Sequence, residues 1–155
     1  MSRAFVKEQD VIAPDAPPEL AVSDHPNLVT PRGLRLIEQK LFDLNEALAL
    51  DQTEEEKARL LRDLRYWTER RASARLVEHN ERDKEVVFGS EVTIRRHDGP
   101  PETWEIVGED EADPTHGKIS YVSPIADALM GAREGETIEV PNRKPPLEIE
   151  VLTVR

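Results

Sequence analysis

Hydrophobic and polar positions divide the chain into stretches of different period. Within residues 30–78, Leu34, Ile37, Leu41, Leu44 and Leu48 recur at alternating spacings of three and four, the heptad seam of an amphipathic helix. Thr30-Pro31 ahead of it reads as an N-cap followed by proline at the first helical position. Asp51-Gln52-Thr53 interrupts the seam. Thr53-Glu54-Glu55-Glu56 then has the capping-box pattern, with acids in the first turn where the helix dipole favours them. A second helix follows, with Leu60, Leu64, Trp67, Ala74 and Val77 on one side. Two amphipathic helices joined by a turn of about three to five residues fold back on each other. The pattern therefore predicts an antiparallel helical hairpin, with Trp67 covering the seam or bracing the hairpin against the sheet that the later residues predict. The first helix has about 20 residues, which is ~30 Å of length.

Residues 79–155 change to a period of two. Val86-Val87-Phe88, Val92/Ile94, Trp104/Ile106, Ile119/Tyr121, Ile138/Val140 and Leu147/Ile149/Val151 read as strands punctuated by turn residues. Asp98-Gly99 between two of them is a hairpin signal. One segment, Ser123-Pro124-Ile125-Ala126-Asp127-Ala128-Leu129-Met130-Gly131, carries a serine cap, a proline start and a glycine stop, and reads as a short helix. The expected fold class is α+β: a helical hairpin followed by a small, mostly antiparallel sheet with one short helix packed on it.

Residues 1–29 fit neither pattern. They hold Pro14, Pro17, Pro18 and Pro26 and few large apolar groups, so they are expected to form a disordered, solvated tail. Arg3, Phe5 and Lys7 are the residues from which a docking motif there would be built. Charge follows the same division. The formal net charge of −11 is carried mainly by residues 79–155, with 17 acids against 9 bases, whereas residues 30–78 balance at 10 against 10. Arg59, Arg62, Arg65, Arg70, Arg71 and Arg75 concentrate on the second helix, where a solvated, salt-bridged face is the default reading. So acidic a chain argues against binding free nucleic acid, whose affinity is dominated by phosphate attraction. A protein partner is expected instead.

Little catalytic chemistry is on offer. With no cysteine there are no disulfides or thiolate metal sites, and a reducing compartment is the natural setting. No apolar run approaches the ~20 residues that span a bilayer, and the first residues lack a secretory h-region, so a cytoplasmic protein is expected. His25, His79, His97 and His116 lack metal-ligand spacing and read as surface residues. Asp51 and Glu54 are the one suggestive pair of carboxylates. Three apart at the exposed tip of the hairpin, they would share a divalent ion with an external ligand; as structural residues they would form a turn and complement a helix N-terminus.

Three strings then carry a family resemblance: Val87-Phe88-Gly89-Ser90, Ile106-Val107-Gly108-Glu109-Asp110-Glu111-Ala112-Asp113, and Ile119-Ser120-Tyr121-Val122-Ser123-Pro124-Ile125-Ala126 with Leu129 and Gly131. In this order they closely resemble the bacterial Gre transcript-cleavage factors of the GreA/GreB type. Val29-Thr30-Pro31-Arg32-Gly33-Leu34 is similar to the opening of that family's coiled coil. The resemblance implies an FKBP-like domain over residues 79–155 that docks on RNA polymerase at the mouth of its secondary channel. Ser123, Pro124 and Ile125 match the polymerase-facing loop, although Val122 stands where family members often have a polar residue. It also implies that the coiled coil enters the channel and that tip acids help to hold the polymerase's second catalytic magnesium. Asp51 and Glu54 reproduce that D-x-x-E spacing.

On this resemblance the protein is not an enzyme in its own right. It acts through the polymerase active site, with no cofactor of its own beyond a Mg held jointly at Asp51 and Glu54. It meets nucleic acid only within the transcription complex, avoids membranes and works as a monomer. The short hairpin resembles instead the regulator of nucleoside diphosphate kinase, a relative that occupies the channel without reaching the catalytic centre. Cleavage stimulation and non-cleaving competition both stay open, and hairpin length favours the competitor. Two readings of other classes are a prolyl isomerase, for which Phe88, Trp104 and Tyr121 are the available pocket aromatics, and an adaptor that pairs with another helix bundle.

Overall fold

The computed structural model describes residues 16–82 and 84–155, so Arg3, Phe5 and Lys7 lie outside the described residues. A two-residue strand β1 (Leu28–Val29) leads into α1 (Pro31–Leu48), which turns back through a short loop into α2 (Glu54–Ser73) and ends at β2 (Arg75–Leu76). Helix starts follow local chemistry. Thr30 caps α1 by accepting the Gly33 N–H at 2.9 Å. At α2 the capping box is complete: the Glu56 N–H donates to Thr53 Oγ1 (3.1 Å), and the Thr53 N–H donates to the Glu56 carboxylate (3.2 Å). The two helices pack along the leucine seam. Ile37 is fully buried, while Leu34, Leu41, Leu44, Leu48, Leu60, Leu64 and Trp67 are half-buried, as a layer only two helices thick allows. Trp67 therefore shares its ring between the seam and solvent, edge-on to Tyr66 at 5.1 Å.

The hairpin is shorter at its base than the sequence pattern suggests. α1 has 18 residues and α2 stops at Ser73, so Val77 lies beyond the helix it was expected to face from. The chain leaves helical geometry because β1 offers a better partner. The Arg75 and Val77 N–H groups donate to Asn27 and Val29 carbonyls at 2.8 and 2.9 Å, and β1 and β2 pair in parallel. The expected tail thus needs correction at its inner end: residues 16–29 run against the hairpin, and Asn27 and Val29 are buried.

Residues after β2 form β3 (Glu91–Arg96), β4 (Glu102–Val107), β5 (Lys118–Ser120), α3 (Pro124–Leu129), β6 (Thr137–Val140) and β7 (Leu147–Val154). They make a five-stranded sheet of order β5-β4-β3-β7-β6. Alternation sends Val92, Ile94, Ile106, Ile149 and Val151 to one face, a register shift opposite Thr93/Ile94 returns Val154 to it, and α3 closes the core there with Ala126 and Leu129. The sheet is mostly antiparallel, as expected, with one exception: β4 and β5 pair in parallel. A parallel neighbour cannot be reached by a tight turn. The chain must travel back along the sheet, and residues 108–117 do this through a 3-10 turn (Pro114–His116) and a left-handed Gly117. Val86-Val87-Phe88 is also not a strand. Val86 exchanges backbone hydrogen bonds with Gly131 and Ala132 after α3 (both 2.8 Å), and Val86 and Phe88 are buried by that docking. The Asp98-Gly99 turn is shifted by one residue. His97 and Asp98 take the positive φ angles, 36° and 52°, and the Gly99 N–H donates to the Arg96 carbonyl at 2.8 Å.

Gly108, where the return loop leaves β4, fits only because it has no side chain. A Cβ there would stand 2.3 Å from the Leu28 carbonyl oxygen and 3.8 Å from Val29 Cα, and backbone atoms cannot swing aside. Gly108→Ala is expected to push β1 off the loop and to cost about 1–3 kcal/mol of stability, the usual scale of overpacking. Chemical denaturation of the two proteins measures it. An unchanged midpoint would show that β1 does not press on this loop.

Candidate functional site

Chemistry-bearing side chains gather in three places. The first is the hairpin tip. Gln52 folds back over the end of α1, donating to the Ala47 carbonyl at 2.7 Å and the Leu50 carbonyl at 3.1 Å, so the loop satisfies groups that a helix C-terminus leaves bare. The acids that follow divide the work. Glu56 closes the capping box, and Glu55 pairs with Arg59 one turn on at 3.0 Å. Asp51 and Glu54 are exposed, and among the described residues neither has a hydrogen-bond or ion-pair partner. Leu50 beside them is 70% exposed. No group of three or more His, Asp or Glu side chains able to hold a metal comes together among the described residues. Asp51 and Glu54 offer two carboxylates at most, far from the six oxygens of a magnesium shell, so an ion here would need its remaining ligands from elsewhere.

The second place is the start of α3. Ser123 caps the helix by accepting the Ala126 N–H at 3.4 Å, Pro124 at the first helical position is exposed, and Ile125 is half-buried against the core. Val122 is half-buried too. This loop sits at the base of the hairpin, because the Tyr121 hydroxyl just before it donates to the Pro26 carbonyl next to β1. The tip is at the far end of α2, whose 20 residues span ~30 Å. Tip and loop are therefore opposite ends of one body. The aromatics considered for an isomerase pocket serve packing: Phe88 is buried, and Tyr121 meets it edge-on at 5.6 Å.

The third place joins the other two and was not anticipated. Glu109, Asp110 and Glu111 of the return loop face the hairpin base. Arg70 of α2 has a side chain only 2% exposed, and its Nε donates to Asp110 Oδ2 at 2.5 Å. Its Nη2 donates to Asn27 Oδ1 at 2.7 Å, and Glu109 stands 3.7 Å away. Asn27 returns a bond from Nδ2 to the Arg70 carbonyl at 2.7 Å. Tyr66 donates to the other Asp110 oxygen at 2.6 Å. Burial, and then that bond to a carboxylate, push the Tyr66 phenol up to about 12. On the α1 side Arg32 reaches Glu105 at 2.6 Å and Glu111 at 3.0 Å, and buried Glu111 also accepts the Thr30 hydroxyl. Each helix is thus bolted to the return loop by one arginine. The sequence held one signal for this: Arg70 lies three residues after Trp67 and four before Ala74, a charge on the apolar stripe.

Comparison with known proteins gives the same grouping. The family model for the GreA/GreB transcription elongation factor C-terminal region matches residues 81–155. Transcription elongation factor GreB of Neisseria meningitidis is 40% identical over 95 residues, 60% of this chain and 58% of that protein, so the chain spans under two thirds of that relative. Transcription elongation factor GreA of Roseiflexus castenholzii is 33% identical over 121 residues, 76% of each chain. Among solved structures, the GreA factor homolog 1 protein of Thermus thermophilus is similar with a TM-score of 0.41 at 21% identity, over 84% of this chain and 99% of that one.

The matched region contains Asp110, and the arginine it holds lies outside it on the hairpin. Removing one partner of a buried charge pair leaves the other stranded in a low dielectric, which costs about 3–5 kcal/mol. Asp110→Ala is expected to lose that much in thermal or denaturant unfolding. A loss below about 1 kcal/mol, the range of solvent-exposed pairs, would show that Arg70 is hydrated rather than buried.

Proposed function

The chain belongs to the GreA/GreB family of transcription elongation factors, and from that premise we propose that it is a regulator of RNA polymerase in the cytoplasm. The sheet domain docks at the mouth of the secondary channel through Ser123, Pro124 and Ile125, and the helical hairpin enters the channel. One observation carries this reading. The hairpin is bolted at its base by two arginine–carboxylate clusters and ends, ~30 Å away, in Asp51 and Glu54, which have no partner among the described residues. Rigidity at the base and idle carboxylates at the tip suit a probe that meets its counterpart outside the molecule.

Between the two modes of action, helices of 18 and 20 residues favour an occupant that competes for the channel without completing the metal site. A carboxylate several ångströms short contributes nothing to coordination, since metal–oxygen bonds tolerate only tenths of an ångström. The idle state of Asp51 and Glu54 favours the second mode, in which they complete the shell of a magnesium held by the polymerase. In either mode the protein performs no chemistry alone.

Stalled, backtracked elongation complexes separate these modes. The wild-type protein is expected to leave transcript hydrolysis unstimulated while displacing a longer channel-binding factor in proportion to its concentration, and Asp51→Asn/Glu54→Gln should compete equally well. Robust cleavage by the wild type, abolished in that double variant, would assign the metal-holding role instead. Docking is tested independently. Pro124→Asn alters an exposed residue and should weaken polymerase binding by about tenfold, the scale of an interface hot spot, with an unchanged melting curve. Ile125→Asp is the less clean probe because Ile125 also packs on the core. Full binding by a folded Pro124→Asn protein would remove this loop from the interface.

A further inference from the structure

The N-terminal residues that the structure describes do not trail into solvent. From the buried anchor at Asn27 the chain runs backwards along α2 towards the tip. Glu19 pairs with Arg65, and residues 16–19 lie over Ala58 and Leu61, one to two turns from the start of the helix at Glu54. The two ends of this strap are held unequally. At Asn27 three hydrogen bonds reach Arg70 and Ser73 at 2.7 to 3.1 Å in a buried setting. At the other end, the Glu19–Arg65 side chains are 64% and 57% exposed. A cleft of about 500 Å³ remains between strap and helix, lined by Pro17, Pro18, Ala58, Leu61 and Arg65. Leu20 and Leu61 are 40% and 38% exposed, so neither leucine is sealed by the contact.

We propose that this face of α2 is an interaction surface that the protein's own strap covers, and that the surface it serves is an acidic wall of the protein that receives the hairpin. The covering segment itself indicates the chemistry. What rests there now is an apolar Pro17-Pro18 edge followed by the carboxylate of Glu19, whose pKa is held down by hydrogen bonds from Arg65 and by the field of Arg62. An exposed ion pair contributes little, about 0–1 kcal/mol, so a partner carboxylate with comparable geometry exchanges with Glu19 readily. The buried Asn27 anchor keeps the displaced strap attached and close by. The strap is then an autoinhibitory cover: it thickens the hairpin near its tip, and insertion requires it to lift. This inference rests on the channel reading for the identity of the partner, but the cover itself is a property of the free protein.

The chain has no cysteine, so single and paired cysteines report cleanly. In the free full-length protein, an Ala58→Cys thiol under the strap should react slowly with a maleimide, and adding Glu19→Arg should raise that rate several-fold by turning the pair into a repulsion. An equal rate in both proteins overturns the cover. For polymerase binding, Glu19→Cys/Arg65→Cys is bridged by a bismaleimide with a reducible linker. The bridged protein should bind more than about tenfold more weakly than the same sample after reduction, since the competent state is locked out. Glu19→Arg should bind about two- to fivefold more tightly than wild type. Equal binding before and after reduction overturns the autoinhibitory role. If the wild type does not bind polymerase at all, the channel reading falls, and the labelling rates still decide the cover.

Discussion

Everything beyond the two separate halves depends on placing the Arg70 guanidinium in a nearly water-free position between a helix and a loop. A buried guanidinium is tolerated only when it is hydrogen-bonded and its charge is balanced: here Asp110 from the return loop and Asn27 from the segment before β1 accept from it, and the carboxylate of Glu109 adds charge from 3.7 Å. Because the partners belong to different segments, satisfying one side chain fixes three pieces of chain relative to each other. Apolar packing alone would permit sliding. A guanidinium hydrogen-bonded to two different segments does not, and so the latch specifies geometry more than it supplies net stability.

The return loop itself follows from sheet topology. β5 must lie parallel to β4, which obliges the chain to leave the end of β4 and come back. The detour places Gly108 against the backbone of β1 and turns Glu109, Asp110 and Glu111 towards the hairpin base. The acidic surplus of residues 79–155 is therefore partly structural. Four of its carboxylates, Glu105, Glu109, Asp110 and Glu111, pair with arginines on a hairpin that is charge-balanced overall.

This explains which features were legible in the chain. The hairpin, its caps and its turn are local, each set by residues within one helical turn, and Thr30, Thr53 and Ser123 all cap as their positions suggest. Core-facing positions of β3, β4 and β7 were readable from alternation. What local reasoning could not reach was pairing at a distance. β1 and β2 are two residues each, and neither shows a strand pattern because each exists only through the other. The parallel β4–β5 pairing leaves the same alternation as an antiparallel one. The latch joins residues 40 positions apart, and its acids stood in the sequence only as part of a family-like string with no partner assigned. At the candidate site, the spacing of Asp51 and Glu54 was visible from the start. Their idleness became visible only once Glu55 and Glu56 were seen to be engaged by Arg59 and Thr53.

A rigid base also has a consequence for reach. With a flexible junction, a short hairpin could tilt or slide to bring its tip to different depths, and helix length would be a weak constraint on function. The Arg32 and Arg70 clusters remove that freedom, because both helices enter the sheet domain through buried or half-buried charge networks. The distance from the Ser123-Pro124-Ile125 loop to the tip is then set by the number of helical residues, at 1.5 Å each. In such a body the position of Asp51 and Glu54 is decided by helix length, and their chemistry operates only where that length happens to bring them. Depth and chemistry are thus separable: adding or removing whole turns of hairpin would change where the tip lies without altering the sheet domain or its Ser123-Pro124-Ile125 loop.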